Sequence, residues 1–75
     1  SRGSAQYKLA LAYAMGRGIR RDLHYAHMWA TLASLNGIKE ATQTIDLLET
    51  KMSADDIGKA LKLGSLCLDT KYKKC

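Results

Sequence analysis

The 75-residue sequence contains no proline and no phenylalanine, and its uninterrupted apolar runs are only a few residues long. Proline breaks helix interiors, so its absence is compatible with a chain that is helical along most of its length. A membrane-spanning helix needs about 20 consecutive apolar residues, so we expect no membrane insertion. A chain this short forms one domain and buries a smaller share of its surface than a larger protein does.

The first four residues differ in character from the rest of the chain. The sequence begins with SRGS rather than with methionine, and no signal peptide is visible. We interpret residues 1–4 as a cloning remnant, a cut site or a disordered start, and we leave them out of the predicted fold. An original signal peptide that has been removed is compatible with this beginning.

The net charge of +5 raises the question of a nucleic-acid partner. The cations are dispersed except for two clusters, a loop cluster of Arg17, Arg20 and Arg21 and a tail cluster of Lys71, Lys73 and Lys74. Aromatic side chains that stack on bases usually accompany the cations of such sites. None interleaves with the loop cluster, so we expect a solvated loop, a solvated tail and no nucleic-acid partner.

Four segments place apolar residues three and four positions apart, which is the spacing of an α-helix. The first predicted helix covers residues 5–15 and ends at Gly16 and Gly18, since glycine tolerates the positive φ of a tight turn. Asp22 is the predicted N-cap of a second helix over residues 23–36, which stops at Asn36 and Gly37. A third helix is predicted over residues 38–51. Ser53 opens a fourth, with Asp56 as the partner in a capping box.

The apolar stripes of these helices predict the core. The first two stripes are Ala5, Leu9, Ala12 and Tyr13, and then Tyr25, Ala26, Trp29, Leu32 and Ala33. The third and fourth are Ile38, Ala41, Ile45, Leu48 and Met52, and then Ile57, Ala60, Leu61, Gly64 and Cys67 or Leu68. No segment shows the alternation of a strand. We therefore predict an all-α fold.

A shift of 36 residues relates the two halves of the chain. It superposes Ala5 on Ala41, Leu9 on Ile45 and Ala12 on Leu48. A period of this size is typical of helix-hairpin solenoids. With short links between the helices, it predicts an α/α superhelix (solenoid) fragment made of two antiparallel helix hairpins.

Residues 5–41 resemble a Sel-one-like repeat, a relative of the tetratricopeptide repeat. The positions that carry the resemblance are Ala5, Tyr7, Leu9, Tyr13, Gly16, Gly18, Asp22, Ala26, Trp29, Ala33, Gly37 and Ala41. Ile19 stands where the family usually has valine, and Ala10 where it usually has glycine. The resemblance implies structural roles for Gly16, Gly18, Asp22, Trp29 and Gly37.

The second half departs from the family pattern, because it has neither the Gly-x-Gly turn nor the tryptophan. The run MSADDIGKALKL resembles the helix that closes many bacterial proteins of this family. We therefore divide the chain into a Sel-one-like repeat over residues 5–37 and a second unit over residues 38–75. The second unit is a degenerate repeat followed by a C-terminal capping helix and a tail.

The resemblance implies an adaptor or scaffold that binds another protein through a concave face. Outward positions of the first helix are Ser4, Tyr7, Leu11 and Ala14, and those of the third are Glu40, Gln43, Leu47 and Thr50. We select as partner-binding candidates Tyr7, Leu11, Ala14, Gln43, Leu47 and Thr50. Leu11 and Leu47 lie off the predicted stripes and are equivalent under the 36-residue shift. The alternative is that both are isolated exposed leucines, which are common.

Other side chains could form a metal site, an aromatic pocket or a catalytic site, but each has a simpler structural explanation. His24 and His27 have a spacing that can hold a metal, but a third ligand is missing, so we expect two surface histidines with no metal and no cofactor. An aromatic pocket could be formed by Trp29, Tyr13 and Tyr25. We expect instead that these rings pack one helix against another. Serine, cysteine and histidine occur without a signature that joins a nucleophile to a base, so we expect no enzymatic activity.

Cys67 and Cys75 flank the last residues of the chain. Free buried thiols are one explanation, and a disulfide that ties the tail to the fourth helix is the one we expect. The ending resembles that of exported bacterial members of the family. A bridge would imply an oxidising compartment, periplasmic or secreted, whereas free thiols would be compatible with the cytoplasm.

These observations predict a protein–protein interaction module without catalytic activity. The alternative is a structural end-cap or a self-assembling subunit of a longer repeat protein. Repeats of this kind bury their apolar faces by stacking. A C-terminal cap is not expected to reach the N-terminal end of such a stack. We therefore expect a homodimer through an N-terminal face near Tyr7, Leu9, Leu11, Met28 and Leu35.

Overall fold

The computed structural model describes all 75 residues and contains four α-helices and no strand. They are α1 (Arg2–Met15), α2 (Leu23–Leu35), α3 (Lys39–Glu49) and α4 (Ala54–Asp69). The all-α prediction is confirmed. None of the helices is both long and apolar enough to span a membrane.

Helix α2 is the centre of the molecule, because α1, α3 and α4 each pack on it. α1 is antiparallel to α2, since the Asn36 side chain at the end of α2 donates to Gln6 near the start of α1, at 2.8 Å. α4 is parallel to α2, since His24 and Asp56 meet at the starts of both helices. The main helix contact of α4 is therefore α2 rather than α3, and the second predicted hairpin is not a closely packed pair.

The first four residues belong to the fold, which corrects their exclusion. Ser1 caps α1 by accepting a hydrogen bond from the backbone N–H of Ser4 at 3.2 Å. Gly3 is buried, and a Cβ atom on it would lie 3.0 Å from the carbonyl oxygen of Asn36 and from Ile38 Cγ1. Small polar residues that suggest a linker thus form a cap and a close helix contact.

The turns and caps follow local chemistry. Gly16 and Gly18 have φ of 70° and 69°, and Gly37 has 90°, so the turn prediction is confirmed. The carboxylate of Asp22 accepts from the N–H of Tyr25 at 3.1 Å and caps α2. Ser53 and Asp56 form the capping box that opens α4.

The core is centred on Met28, Leu32 and Cys67, with Trp29 and Tyr72 packed against it. α1 turns a different face inward from the one predicted, because its buried residues are Gly3, Gln6 and Ala10 while Ala5 is exposed. α1 is rich in alanine and has no dominant stripe of large apolar side chains. Close approach by small residues, and the hydrogen bond of Gln6 to Asn36, decide which face is buried.

The tail turns back over the molecule. Cys67 and Cys75 form a disulfide, as predicted. Within the loop that the bridge closes, the N–H of Tyr72 donates to the carbonyl of Cys67 at 2.7 Å. The Tyr72 ring lies under the guanidinium of Arg2. The C-terminal segment therefore does reach the first turn of α1, contrary to our expectation.

Met28 is more buried than we predicted, and Trp29 packs on the core as predicted but is only half-buried. Trp29 is half-buried, and it lines a groove with Leu9 and Tyr72 as well as packing on the core. Met28 is fully buried and faces Gly64 of α4. α4 therefore covers Met28, which we expected to be bare, whereas Leu35 is 68% exposed as expected.

Candidate functional site

Three of the six predicted binding residues, Leu11, Ala14 and Leu47, line one groove of about 210 Å³, which we call the α1/α3 groove. It is formed where the second halves of α1 and α3 lie beside each other and the loop before α2 closes one side. Its lining residues are Leu11, Ala14, Met15, Arg21, Leu23, Thr44, Leu47, Leu48 and Lys51.

The groove exists because α1 and α3 run in the same direction side by side. The hydroxyl of Tyr7 lies 3.2 Å from Thr44 Oγ1 in a hydrogen bond between the two helices. About one helical turn further along each helix, Leu11 and Leu47 line the groove together. Leu48 is buried and anchors α3 to the core, so Leu47, one residue earlier, is directed away from it.

Two apolar side chains of the groove are more than half exposed. Leu47 is 62% exposed and Met15 is 51% exposed, whereas Leu11 and Ala14 are half-buried. Exposed single leucines are ordinary. Here the two exposed side chains stand on different helices and border one concavity, which is the form of a contact surface rather than of scattered residues.

The candidate residues are distributed unevenly over this surface. Leu11, Ala14 and Leu47 line the groove, and Tyr7 adjoins it through Thr44. Gln43 and Thr50 are exposed and lie outside the lining, and the Thr50 hydroxyl donates to the carbonyl of Leu47 at 2.6 Å.

Besides Leu48, which was predicted as core, sequence reasoning missed five residues of the lining: Met15, Arg21, Leu23, Thr44 and Lys51. Met15 ends α1, and Arg21 and Lys51 lie in the loops that follow α1 and α3. Arg21 had been noted only as part of the loop cluster. The predicted fold contained a signal for the residues in the loops. Two consecutive antiparallel hairpins make α1 and α3 parallel, so the loops that follow these two helices lie side by side.

The charged residues of the α1/α3 groove are both cations. Arg21 Nε donates to the carbonyl of Ala14 at 3.2 Å, and Lys51 makes no side-chain hydrogen bond. All three ion pairs of the protein involve histidine, so no lysine or arginine is paired with a carboxylate. The groove therefore combines an apolar floor with two cations that are in no ion pair with a carboxylate.

The two histidines join α2 to both later helices. His27 is 1% exposed, and its Nε2 lies 2.8 Å from a carboxylate oxygen of Glu49 on α3. His24 Nε2 lies 2.9 Å from Asp56 Oδ1 on α4. The expectation of two surface histidines is wrong for His27. Each histidine has its own carboxylate, and no cluster of three or more metal-ligating side chains occurs.

The hydrogen bond to His24 also acts on Asp56. It is the largest cause that holds the pKa of Asp56 below its ordinary 3.8, and the hydrogen bonds to Ser53 add to it. The charged form of this carboxylate is thus favoured by the folded state. It serves the contact between α2 and α4 and the cap of α4.

Two other grooves border α4. The larger, of about 370 Å³, is a broad open depression lined by His24, Lys59, Lys62, Leu63 and Leu66. The smaller, of about 170 Å³, brings the exposed side chains of Leu35, Leu61 and Leu68 together. We regard the α1/α3 groove as the candidate site because it is more enclosed than the larger depression and contains three of the residues that the repeat pattern selects, Leu11, Ala14 and Leu47.

No protein-family model matches the chain, and neither a curated protein nor a solved structure is significantly similar to it. The resemblance to a Sel-one-like repeat stays a prediction from the residues that carry it.

Proposed function

We propose that this chain is a protein–protein interaction module without catalytic activity, and that it binds a segment of another protein in the α1/α3 groove. The observation that carries the proposal is the pair of exposed apolar side chains, Leu47 and Met15, on the border of one concavity built from two parallel helices. An adaptor or scaffold role within a longer Sel-one-like repeat protein is the biological form that we propose for it.

The energetics of such a site rest on the apolar floor. Covering an exposed leucine or methionine side chain completely contributes about 1.5–3 kcal/mol. Leu47 and Met15 are only partly exposed and association carries its own entropic cost, so two such contacts support modest affinity. Rigid positioning helps here, because Leu48 fixes α3 on the core and the Tyr7–Thr44 hydrogen bond fixes α1 against α3.

The disulfide supports a proposal about location. A bridge between Cys67 and Cys75 persists in an oxidising environment and is rare in the reducing cytosol. We propose that the protein works in a periplasmic or secreted setting, and that its partner is found there.

Selection from a displayed library of random peptides tests the binding function. The folded, oxidised protein is immobilised, and enriched peptides are then measured against Leu47→Glu and against Leu66→Glu. Leu66 is 46% exposed on α4 and lies outside the α1/α3 groove, so it is the matched control. We expect peptides that bind wild type and Leu66→Glu and lose affinity for Leu47→Glu. Enrichment of no peptide that distinguishes the two variants would count against the function.

Self-assembly is the second candidate, and the Leu35, Leu61 and Leu68 groove favours it. These side chains are 68%, 49% and 42% exposed and border one depression between α2 and α4. An end-cap of a longer array would hold a neighbouring unit there, and the isolated chain would pair with a second copy. Sedimentation equilibrium of wild type and Leu61→Glu tests this. A concentration-dependent dimer that Leu61→Glu abolishes is the expected result, and a monomer at every concentration would reject it.

A further inference from the structure

We infer that the ligand of the α1/α3 groove is an acidic peptide segment, in which an aliphatic anchor residue is flanked by carboxylates. The inference rests on the proposed binding function and specifies its ligand. The anchor would cover Leu47 and Met15, and the carboxylates would meet Arg21 and Lys51.

The position of the two cations relative to the apolar floor supports this ligand class. Arg21 belongs to the loop that precedes α2, and Lys51 follows the end of α3, so one cation comes from each side of the groove. The apolar side chains of Met15 and Leu47 belong to the same lining. A bound segment that inserts an aliphatic side chain therefore passes close to both cations.

No carboxylate is paired with either cation. The lining contains no carboxylate. Glu49 is bonded to His27 and Asp22 is the cap of α2, while Asp46 of α3 is exposed and outside the lining. Arg17 and Arg20 lie in the same loop as Arg21 and raise the positive potential further.

Cations at this place could instead stabilise the C-terminal ends of α1 and α3, because the carbonyl groups there carry partial negative charge. Arg21 serves that purpose, since its Nε donates to the carbonyl of Ala14 and leaves its terminal nitrogens for a ligand. Lys51 makes no ion pair or hydrogen bond through its ammonium group, so all of its donors are available to a ligand. Lys51 is for this reason the clearer test residue.

Exposed charge pairs contribute modestly. One pair of this kind changes affinity by about two- to fivefold. Charge complementarity acts more on the choice of partner and on the association rate than on affinity alone. The apolar anchor therefore supplies most of the affinity, and the cations select the acidic ligand.

The test uses three synthetic peptides that each carry one leucine, flanked by glutamates, by glutamines or by lysines. Their binding to the oxidised protein is measured by fluorescence anisotropy, with wild type, Lys51→Gln and Lys62→Gln. Lys62 borders the broad depression that His24 and Leu66 line, so its substitution removes the same charge at another place. We expect the glutamate peptide to bind tightest and to lose about two- to fivefold on Lys51→Gln but not on Lys62→Gln. Added salt should reduce its affinity.

Each result bears on the inference separately from the function. Equal binding of the glutamate and glutamine peptides, with both weakened by Leu47→Glu, would overturn the acidic ligand and leave the groove as a binding site. Equal losses on Lys51→Gln and Lys62→Gln would also overturn it, because net charge rather than the groove would explain them. If a duplex oligonucleotide displaces the glutamate peptide while Leu47→Glu has no effect, the basic surface serves nucleic acid instead. Failure of Leu47→Glu to weaken any peptide, from these or from the library, would remove the function itself.

Discussion

The guanidinium carbon of Arg2 lies 4.6 Å from the centre of the Tyr72 ring, in a cation–π contact between the first turn of α1 and the tail. Tyr72 also lines a groove with Gln6 and Trp29, so the tail covers a surface where α1 and α2 meet. The disulfide joins the ends of this loop across a sequence separation of 8 residues. The C-terminal loop is thus a third layer over the junction of the first two helices.

We predict that Tyr72 ionises below its ordinary pKa of 10.0. The side chain of Asn36 is the main cause of the lowered pKa of Tyr72, and Gln6 and Arg2 act in the same direction. The difference in absorbance titration between wild type and Tyr72→Phe isolates this ring and should have its midpoint below 10.0. Reduction of the disulfide should move the midpoint upward, because the released tail leaves these side chains. A midpoint at or above 10.0 in the oxidised protein would contradict the tail position.

Replacement of Cys75 by serine should lower the free energy of unfolding by about 2–3 kcal/mol, the loss expected when a short loop is no longer closed in the unfolded chain. Urea unfolding with and without reductant measures it. Reductant should destabilise wild type by a similar amount and leave Cys75→Ser unchanged. A wild type that is indifferent to reductant would show that the bridge contributes nothing to stability.

Two helical glycines should respond in opposite directions to alanine. Gly3→Ala should destabilise by about 1–3 kcal/mol, because the new Cβ would stand 3.0 Å from the Asn36 carbonyl oxygen and the chain must shift. Gly58→Ala should stabilise by about 0.5–1 kcal/mol, the ordinary gain in a helix, because nothing lies within 4 Å of its Cβ position. Thermal and urea unfolding of both variants provide the comparison. A stable Gly3→Ala variant would mean that residues 1–4 do not pack as described.

His27 should matter far more to stability than His24, although both are on α2. His27→Ala removes a fully buried side chain and its hydrogen bond to Glu49, which should cost about 3 kcal/mol. The side chain of His24 is 39% exposed, so solvent screens its pairing with Asp56 and His24→Ala should cost much less. Similar unfolding free energies for the two variants would place His27 at the surface after all.

The stability of the fold should fall in acid partly through Asp56. Its pKa in the folded state is lowered below 3.8, so its contribution is complete above that pH and is lost as the pH falls through the folded-state pKa. Asp56→Asn should therefore be less stable than wild type at neutral pH, and the difference should shrink in acid. Asp55→Asn is the control, since Asp55 shares the first turn of α4 without the bond to His24. Unfolding in urea at a series of pH values gives both curves, and identical curves for Asp55→Asn and Asp56→Asn would reject the role of the histidine.

The sequence predicted those features that depend on neighbouring residues. Gly16, Gly18, Asp22 and Ser53 determine turns and caps within a few positions, and each does so in the structure. The disulfide was predicted from a resemblance and a short separation. The pair Leu11 and Leu47 was found because one period relates them.

The features that the sequence did not predict depend on contacts between residues that are far apart in the chain. α1 has no dominant apolar stripe, so the partner of Gln6, thirty residues away, decided which face turned inward. His27 was read as exposed because histidine is usually at the surface, and only the fold supplies the Glu49 that allows its burial. The packing of α4 on α2 depends on Met28, which meets Gly64 only once both helices are in place.

The central position of α2 has a consequence for how the molecule comes apart. In a long repeat array, each unit rests on the next, and the ends fray first. Here α1, α3 and α4 all rest on α2. If α2 unfolds, the other three helices lose the helix on which each of them packs. The α1–α2 pair therefore cannot unfold while α3 and α4 stay folded. We therefore expect denaturation to be a single cooperative transition, in which the amide protons of α2 exchange with solvent only through global opening.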